Sequence, residues 1–344
     1  MFKYKQGDIL KADTEALVNT VNCVGVMGRG IALQFRKKFP DNYRAYKIAC
    51  KSKKIQPGKV FVFNRQSMFN PKYIINFPTK IHWRNNSRLE HIKEGLKSLV
   101  KEIKIRNIHS VAIPPLGCGL GGLNWKNVKP EIEKAFLGVS DVEVYLYEPS
   151  GAPSPREMAI NTKKPNMTVG RAALLGLMRR YLAGSMDPFV TLLEIHKLMY
   201  FLSEAGENLR LSFRKAPYGP YAVKLRHVLN RIEGHFIVGY GDAEDNPRKQ
   251  INLIPEASEK AEKFLEKHEN TIKRFNRVSD LIDGFETSFG MELLSTVHWV
   301  ATFEGASDLE KVIEKTYAWN PRKRMFHKDQ IRVAWENLQK KDWI

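Results

Sequence analysis

The chain has 344 residues, of which 43% are hydrophobic, and its 56 Lys and Arg against 37 Asp and Glu give a formal net charge of +19. The length favours two domains, and the hydrophobic fraction is typical of a soluble globular protein. No segment approaches the roughly 18 to 20 apolar residues of a membrane span, and the N-terminus lacks the apolar core of a signal peptide. We therefore predict a cytoplasmic protein that does not associate with a membrane.

The positive charge is concentrated in the N-terminal half of the chain. Residues 1–155 hold 26 Lys and Arg against 12 Asp and Glu, whereas residues 156–344 hold 30 against 25. Basic clusters such as 36–38 and 51–54 would attract a polyanion, although a solvated helix face explains any one of them equally well. The sum favours a nucleic-acid or phosphate-rich ligand for the N-terminal half.

The first 150 residues alternate short apolar runs with helical patterns. Strands are predicted at Phe2–Gln6, Ala16–Asn22, Val60–Phe63, Tyr73–Phe77, Ser110–Ile113 and Val142–Tyr147. One helical face is marked by Leu89, Ile92, Leu96, Leu99 and Ile103, and the spacing of Ser87 and Glu90 predicts a capping box at its start. This alternation predicts an α/β layered domain, whose ligands bind at the carboxyl ends of the strands.

Two of these strands lead into glycine-rich segments. Residues 117–122, here called loop B, hold four glycines between a strand and a predicted helix beginning near Asn124. Residues 23–30, here called loop A, follow the Ala16–Asn22 strand and also lead into a helix. Glycine-rich turns at helix N-termini present backbone N–H groups that suit a diphosphate, while a plain tight turn is the alternative for either loop taken alone.

Cysteine usage points to a reducing compartment. Cys23, Cys50 and Cys118 have neither the spacing of a metal site nor an even number for a disulfide set, so we expect no metal ion and no cofactor. Cys118 lies in loop B, where a catalytic thiol is one interpretation. We favour a small apolar filler, because no histidine adjoins Cys118 in sequence.

Several separated motifs together resemble the macrodomain family of ADP-ribose-binding modules, over about residues 1–150. They are Asp8-Ile9, Asn19–Asn22, Gly28–Ala32 and Gly117–Leu123. Phe77–Lys80, with the segments from Asn19 to Gly28 and Gly117 to Leu120, further resembles the terminal ADP-ribose glycohydrolases, and among them the DNA ADP-ribosyl glycohydrolase antitoxins. The resemblance implies a three-layer α/β/α macrodomain with a mixed sheet, which removes ADP-ribose from thymidine in DNA and opposes a DarT-like toxin.

The same resemblance implies roles for individual residues. Asp8 would contact the adenine amino group with Ile9 beside the ring, Asn22 would face the distal ribose, and both glycine loops would bind the diphosphate. The predicted ADP-ribose-binding set is Asp8, Ile9, Thr20, Asn22, Gly28, Arg29, Gly30, Ile31, Gly117, Cys118, Gly119, Leu120, Gly121 and Gly122.

Lys80 is the predicted catalytic residue, since it matches the lysine whose amine attacks the anomeric carbon of the distal ribose in this class. The amine must be neutral to attack, so its pKa must fall through desolvation or through nearby cations such as Arg84. A surface lysine, or one that only touches DNA phosphate, is the alternative.

Gly121 is a departure from the class, because some members carry an aspartate at this position for acid–base work. The proton would then come from water, from the substrate or from His82, whose structural alternative is an ordinary packed histidine. A non-catalytic ADP-ribose reader is the competing function, and it predicts binding without turnover.

The stretch 151–167 is rich in Pro, Gly and Ser and predicts a linker before a second domain at 168–344. Helices are expected at Thr191–Glu204, Glu262–Arg277 and Met291–Phe303, and a strand at His235–Val238, as in the wing of a winged helix. Two segments, Ile195–Phe201 and Pro217–Tyr221, resemble antitoxin domains of the SocA-like (Panacea) type. The sequence thus predicts a mainly helical C-terminal domain, with a winged-helix-like arrangement as one interpretation.

For this second domain the resemblance implies binding of the toxin itself. The acidic loop 242–245 is a natural contact for a basic toxin groove, with a metal site or a solvated loop as the alternatives for its carboxylates. A DNA-binding winged helix is the competing function of the domain, and the small charge excess of residues 156–344 disfavours it.

Overall fold

The computed structural model describes residues 1–150, 158, 160–184, 188–241 and 243–344. Its internal contacts divide the chain into two compact units. One holds residues 1–163 together with 243 and 244, and the other holds residues 164–241 and 245–344. Within the described residues, no helix is long and apolar enough to cross a membrane.

The N-terminal unit is built on a six-stranded sheet with the order β1-β6-β5-β2-β4-β3. Its strands are β1 (Phe2–Lys5), β2 (Ala16–Asn22), β3 (Phe61–Asn64), β4 (Tyr73–Lys80), β5 (Ser110–Ile113) and β6 (Glu143–Tyr147). Neighbouring strands are parallel, except that β3 runs antiparallel to β4. The mixed sheet expected from the sequence is therefore confirmed.

Helices cover both faces of this sheet. They are α1 (Gly30–Lys38), α2 (Pro40–Lys51), α3 (Leu89–Ile105) and α4 (Trp125–Phe136). On β2, Ala16 and Val18 pack with the apolar faces of α3 and α4, whereas Leu17 packs with Phe35 of α1. Successive strand residues point to opposite faces, so this alternation produces the α/β/α layers that the sequence predicted.

Two local predictions in this unit are wrong. The strand predicted at Tyr73–Phe77 continues as β4 to Lys80, and its pairing with β2 shifts register between Val21 and Asn22, next to Pro78. The capping box is absent from α3, whose N-cap is Arg88 and makes no side-chain cap bond. Ser87 instead donates its backbone N–H to the Gly121 carbonyl at 2.9 Å, so it belongs to the turn before the helix.

The C-terminal unit is mainly helical, as predicted. Its helices are α5 (Val169–Gly184), α6 (Leu192–Glu204), α7 (Leu225–Ile232), α8 (Pro255–Leu265), α9 (Glu269–Ile282), α10 (Ser288–Glu304), α11 (Leu309–Trp319) and α12 (Lys328–Lys340). A small antiparallel sheet has the order β7-β9-β8, with β7 at Val190–Thr191, β8 at Ile237–Val238 and β9 at Gln250–Leu253. The single helix predicted at Glu262–Arg277 is wrong, because α8 ends at Leu265 and α9 begins at Glu269.

A charged cluster is buried within this helical unit. Glu292 of α10 accepts hydrogen bonds from Lys323 Nζ at 2.7 Å and from Arg322 Nη2 at 3.0 Å, and the side chains of Glu292 and Lys323 are 1% and 0% exposed. Lys197 of α6 is also buried and donates to the Pro220 carbonyl at 2.7 Å. Burial and the neighbouring Lys323 ammonium lower the pKa of Lys197 well below its ordinary value.

Candidate active site

Loop A is shaped by the side chain at the end of β2. Asn22 Oδ1 accepts hydrogen bonds from the backbone N–H groups of Val24 at 3.0 Å and Val26 at 3.3 Å, and its amide donates to the Val26 carbonyl. The fully buried Tyr46 hydroxyl of α2 donates to the Asn22 carbonyl at 2.6 Å. The structure thus assigns Asn22 a positioning contact, and its expected approach to the distal ribose stays a prediction.

Loop B joins β5 to α4 and requires its glycines. Gly117 and Gly122 have φ of +72° and +76°, in the left-handed region that favours glycine. Gly121 is enclosed, because a Cβ there would lie 2.3 Å from Ser87 Oγ and 2.4 Å from the Gly117 carbonyl oxygen. The aspartate that some relatives carry at this position therefore has no room in this backbone.

Lys80 connects the two loops. It ends β4 in register with Asn22 on β2, and its Nζ donates to the Leu120 carbonyl of loop B at 2.8 Å. Burial lowers the pKa of Lys80, which favours the neutral amine that a nucleophile needs. The expected contribution of Arg84 to this shift is wrong, since the Arg84 guanidinium stacks 4.6 Å from the Trp83 ring centroid and burial alone accounts for the direction.

The two loops approach each other beside Lys80. A Cβ on Gly30 would lie 3.7 Å from Leu120 Cδ1, so the start of α1 faces loop B. Gly119 has open space around its Cα, and a Cβ on Gly28 would meet only Val26. Loops A and B thus form the two sides of a cleft beside Lys80. The backbone of both loops is open to a ligand, as the binding of a diphosphate requires.

The residues assigned to the adenine have structural contacts of their own. Asp8 caps the short helix Ile9–Lys11, with Oδ1 accepting from the Leu10 N–H at 2.9 Å. Ile9 packs in the core with Leu17, and Thr20 lies half-buried on β2. Their contacts with a nucleotide stay predictions, as do those of Arg29 and Ile31, which lie half-buried at the start of α1.

Cys118 and His82 are the remaining candidates for chemistry near Lys80. Burial raises the pKa of the Cys118 thiol to about 11, and the residue packs against the main core, which favours the apolar filler over a catalytic thiol. His82 Nδ1 accepts the Arg84 backbone N–H at 3.3 Å, and its ring lies 5.2 Å from that of Trp83. These contacts fix the turn after β4 and leave the origin of the proton an open prediction.

The segments around the cleft carry no carboxylate over long stretches. Residues 16–40 and 42–89 contain no Asp or Glu, and the second stretch holds 11 Lys and Arg. Loop A, Lys80 and the turn after β4 all fall within them. These segments therefore form a wall of the cleft without carboxylates, which suits phosphate. The sequence contains this signal, but a charge count over half of the chain does not show it.

The predicted acidic contact of the second unit is only partly visible. Asp242 lies outside the described residues. Glu244 and Asp245 fall within them, and contacts group Glu244 with the N-terminal unit and Asp245 with the C-terminal unit. In the described portion of the chain, no three His, Cys, Asp or Glu side chains form a group that could hold a metal ion.

The chain is similar to known proteins over nearly its whole length. A family model described as Macro domain matches residues 18–132. The chain is 46% identical over 341 residues to a DNA ADP-ribosyl glycohydrolase of Thermus aquaticus, covering 99% of this chain and 94% of that protein. It is 43% identical over 351 residues to the protein of the same name from Mycobacterium tuberculosis, covering 98% and 99%. A DNA ADP-ribosyl transferase–DNA ADP-ribosyl glycohydrolase fusion protein of Thermosipho africanus is 35% identical over 159 residues, covering 42% of this chain and 41% of the fusion.

Proposed function

This chain belongs to the DNA ADP-ribosyl glycohydrolase family, and from that premise we propose that it hydrolyses the N-glycosidic bond between ADP-ribose and thymidine in DNA. The observation that carries the proposal is the position of Lys80. Its half-buried amine lies between two glycine loops, bonded to the Leu120 carbonyl at 2.8 Å, and burial lowers its pKa. The reaction reverses ADP-ribosylation of DNA in the cytoplasm.

Loops A and B bind the substrate, and Lys80 carries out the chemistry. Backbone N–H groups of loops A and B hold the diphosphate and fix the distal ribose, and the Asn22 carboxamide keeps loop A in shape. The neutral Lys80 amine attacks the anomeric carbon, the bond from that carbon to the thymine nitrogen breaks, and the base departs with the bonding electron pair. The ammonium formed by the attack loses one proton, and the departing thymine nitrogen gains one. Water then breaks the bond between the ribose carbon and Nζ, which releases ADP-ribose and restores the lysine.

Mass spectrometry tests the reaction directly. A single-stranded oligonucleotide with one ADP-ribosylated thymidine, incubated with the full-length protein, is expected to lose the whole ADP-ribose mass while free ADP-ribose appears. Recovery of an unmodified thymidine oligonucleotide would show that the glycosidic bond to the base is the one cleaved. Binding of ADP-ribose with no loss of mass would instead support the non-catalytic reader.

We further propose that the partner is a DarT-like DNA ADP-ribosyl transferase toxin, held by the C-terminal unit. The Thermosipho africanus relative supports a partnership, because its name joins a transferase and a glycohydrolase in one chain. Asp245 of that unit, together with the preceding Glu244, would face a basic toxin groove.

Co-purification tests the toxin contact without interference from catalysis. Full-length protein carrying Lys80→Ala is expected to retain a catalytically inactive toxin, and charge reversal of Glu244 and Asp245 is expected to weaken retention at physiological salt by about tenfold. Retention that is equal in the parent and the reversed variant would remove these two residues from the contact. No retention by either protein would refute toxin binding.

A further inference from the structure

The turn that follows β4 is fixed at both ends to the two glycine loops. We call residues 81–86 the β4 turn. The Ile81 carbonyl accepts the Cys23 N–H of loop A at 2.9 Å, and Ser87, directly after the turn, donates its N–H to the Gly121 carbonyl of loop B at 2.9 Å. Between them, the Asn85 N–H donates to the His82 carbonyl at 3.0 Å. The turn is therefore held rigidly at the mouth of the cleft, one residue beyond Lys80.

The side chains of this turn face solvent although two of them are large and apolar. Ile81 is 55% and Trp83 is 39% exposed. The Arg84 guanidinium stacks 4.6 Å from the Trp83 ring centroid, and the His82 ring lies 5.2 Å from it. Together they present an exposed aromatic surface with a positive charge beside it, which core packing does not require.

Exposed apolar side chains continue on both neighbouring loops. Val24 and Val26 of loop A are 44% and 40% exposed, and Leu120 of loop B is 66% exposed. Such a patch beside an active site marks a binding surface. The charge of the surrounding chain points to an anionic ligand. Residues 42–89 carry 11 Lys and Arg and no Asp or Glu, and of these cations Arg44 and Lys72 pair with Asp41 and Glu15.

We propose that the β4 turn binds the DNA strand next to the modified thymidine, with a neighbouring base on Trp83 and a phosphate at Arg84. Aromatic rings and guanidinium planes accept the faces of unpaired bases, and cations follow the backbone of single-stranded nucleic acid. Single-stranded DNA therefore fits this surface better than a protein without a matching acidic face, because the phosphates of DNA complement the positive charge. The inference rests on the proposed function and adds a contact for the part of the substrate outside ADP-ribose.

A binding measurement tests the turn apart from catalysis. In full-length protein carrying Lys80→Ala, fluorescence anisotropy of an unmodified single-stranded oligonucleotide gives the affinity. Adding Trp83→Ala is expected to weaken binding about tenfold, the effect of losing one stacked base, while Trp83→Phe restores most of it. Adding Arg84→Ala is expected to flatten the dependence of affinity on salt. Phe69→Ala is the matched control, since Phe69 is a 79% exposed aromatic of the same unit, and it is expected to leave DNA affinity unaltered.

Kinetics on two substrates distinguishes the contribution of the β4 turn to DNA binding from its effect on the ADP-ribose cleft. Trp83→Ala is expected to lower kcat/KM for an ADP-ribosylated oligonucleotide about tenfold more than for an ADP-ribosylated thymidine mononucleotide. Equal losses on both substrates would show that the turn only shapes the cleft, and DNA affinity equal to that of the parent would also overturn the inference. If the unaltered protein released no ADP-ribose from modified DNA, the proposed function would fail, whereas the anisotropy measurement would still decide whether the turn binds DNA.

Discussion

Replacing Lys80 with alanine is expected to lower kcat/KM on ADP-ribosylated DNA by about 10³-fold or more, as the loss of a covalent nucleophile does. The amine that forms the bond to the anomeric carbon is then gone, while Asn22 still braces loop A through the Val24 and Val26 N–H groups. Affinity for ADP-ribose is therefore expected to stay within a few-fold of the parent. Mass spectrometry of the oligonucleotide gives the rate, and calorimetry with ADP-ribose gives the affinity.

Lys80→Arg is the matched control, because it keeps a cation and a donor near the Leu120 carbonyl but cannot become a neutral nucleophile. We expect it to be as inactive as the alanine variant. Substantial activity in Lys80→Arg would show that Lys80 contributes a positive charge and does not form a bond to the ribose.

The direction in which the reaction rate changes with pH is an independent test of the lysine nucleophile. Burial lowers the pKa of Lys80 from its ordinary value of 10.5, so the neutral fraction grows as the pH rises and saturates above the lowered pKa. The rate limited by Lys80 is therefore expected to rise with pH and to level off below pH 10.5. A rate that falls over the same range would contradict a lysine nucleophile.

The largest expected effect on stability is at Glu292. Its side chain is 1% exposed and balances the fully buried Lys323 ammonium at 2.7 Å. Glu292→Ala leaves that cation without a counter-charge, which is expected to lower the free energy of unfolding of the C-terminal unit by about 3–5 kcal/mol. For a unit of this size the loss corresponds to a Tm decrease of roughly 6–20 °C. Calorimetry measures it as a shift of one transition, since the two units need not unfold together.

Asp329→Ala is the matched control in the same unit. The ion pair between Asp329 and Arg332 has side chains that are 84% and 52% exposed, so its loss is expected to change stability by no more than about 0.5 kcal/mol. Burial already lowers the pKa of Lys323 to about 8, below its unfolded value of 10.5, so this lysine costs stability below pH 8 and the cost disappears as the pH rises towards 10.5. In Glu292→Ala this recovery at high pH should be larger, and an equal Tm decrease at every pH would argue against a charge effect.

The strands of the N-terminal unit were predictable because each is a short apolar run between turn residues. Ala16–Asn22 and Ser110–Ile113 have the predicted bounds. The end of β4 was not predictable, since Pro78 reads as a strand terminator, yet the strand passes it through a shift in register. The family resemblance thus identified Lys80 as a candidate, whereas the strand pattern did not place it within β4.

The features of the site that could not be predicted from the sequence are contacts between residues that lie far apart in the chain. The Tyr46 hydroxyl supports Asn22 from 24 positions away, on another element, and no local spacing marks it. The capping-box spacing of Ser87 was misleading, because its backbone N–H is taken by Gly121 of loop B. A local pattern competes with tertiary partners that appear only when the chain is folded.

The wall without carboxylates also determines which solution condition governs attraction for DNA. Acidification neutralises Asp and Glu, but residues 16–40 and 42–89 have none to neutralise. The field of this wall therefore keeps its sign and most of its strength from mildly acidic to neutral conditions, whereas dissolved ions screen it within about 10 Å at 0.1 M. Ionic strength, more than acidity, is the variable that sets how far from the surface a DNA strand is drawn towards the cleft.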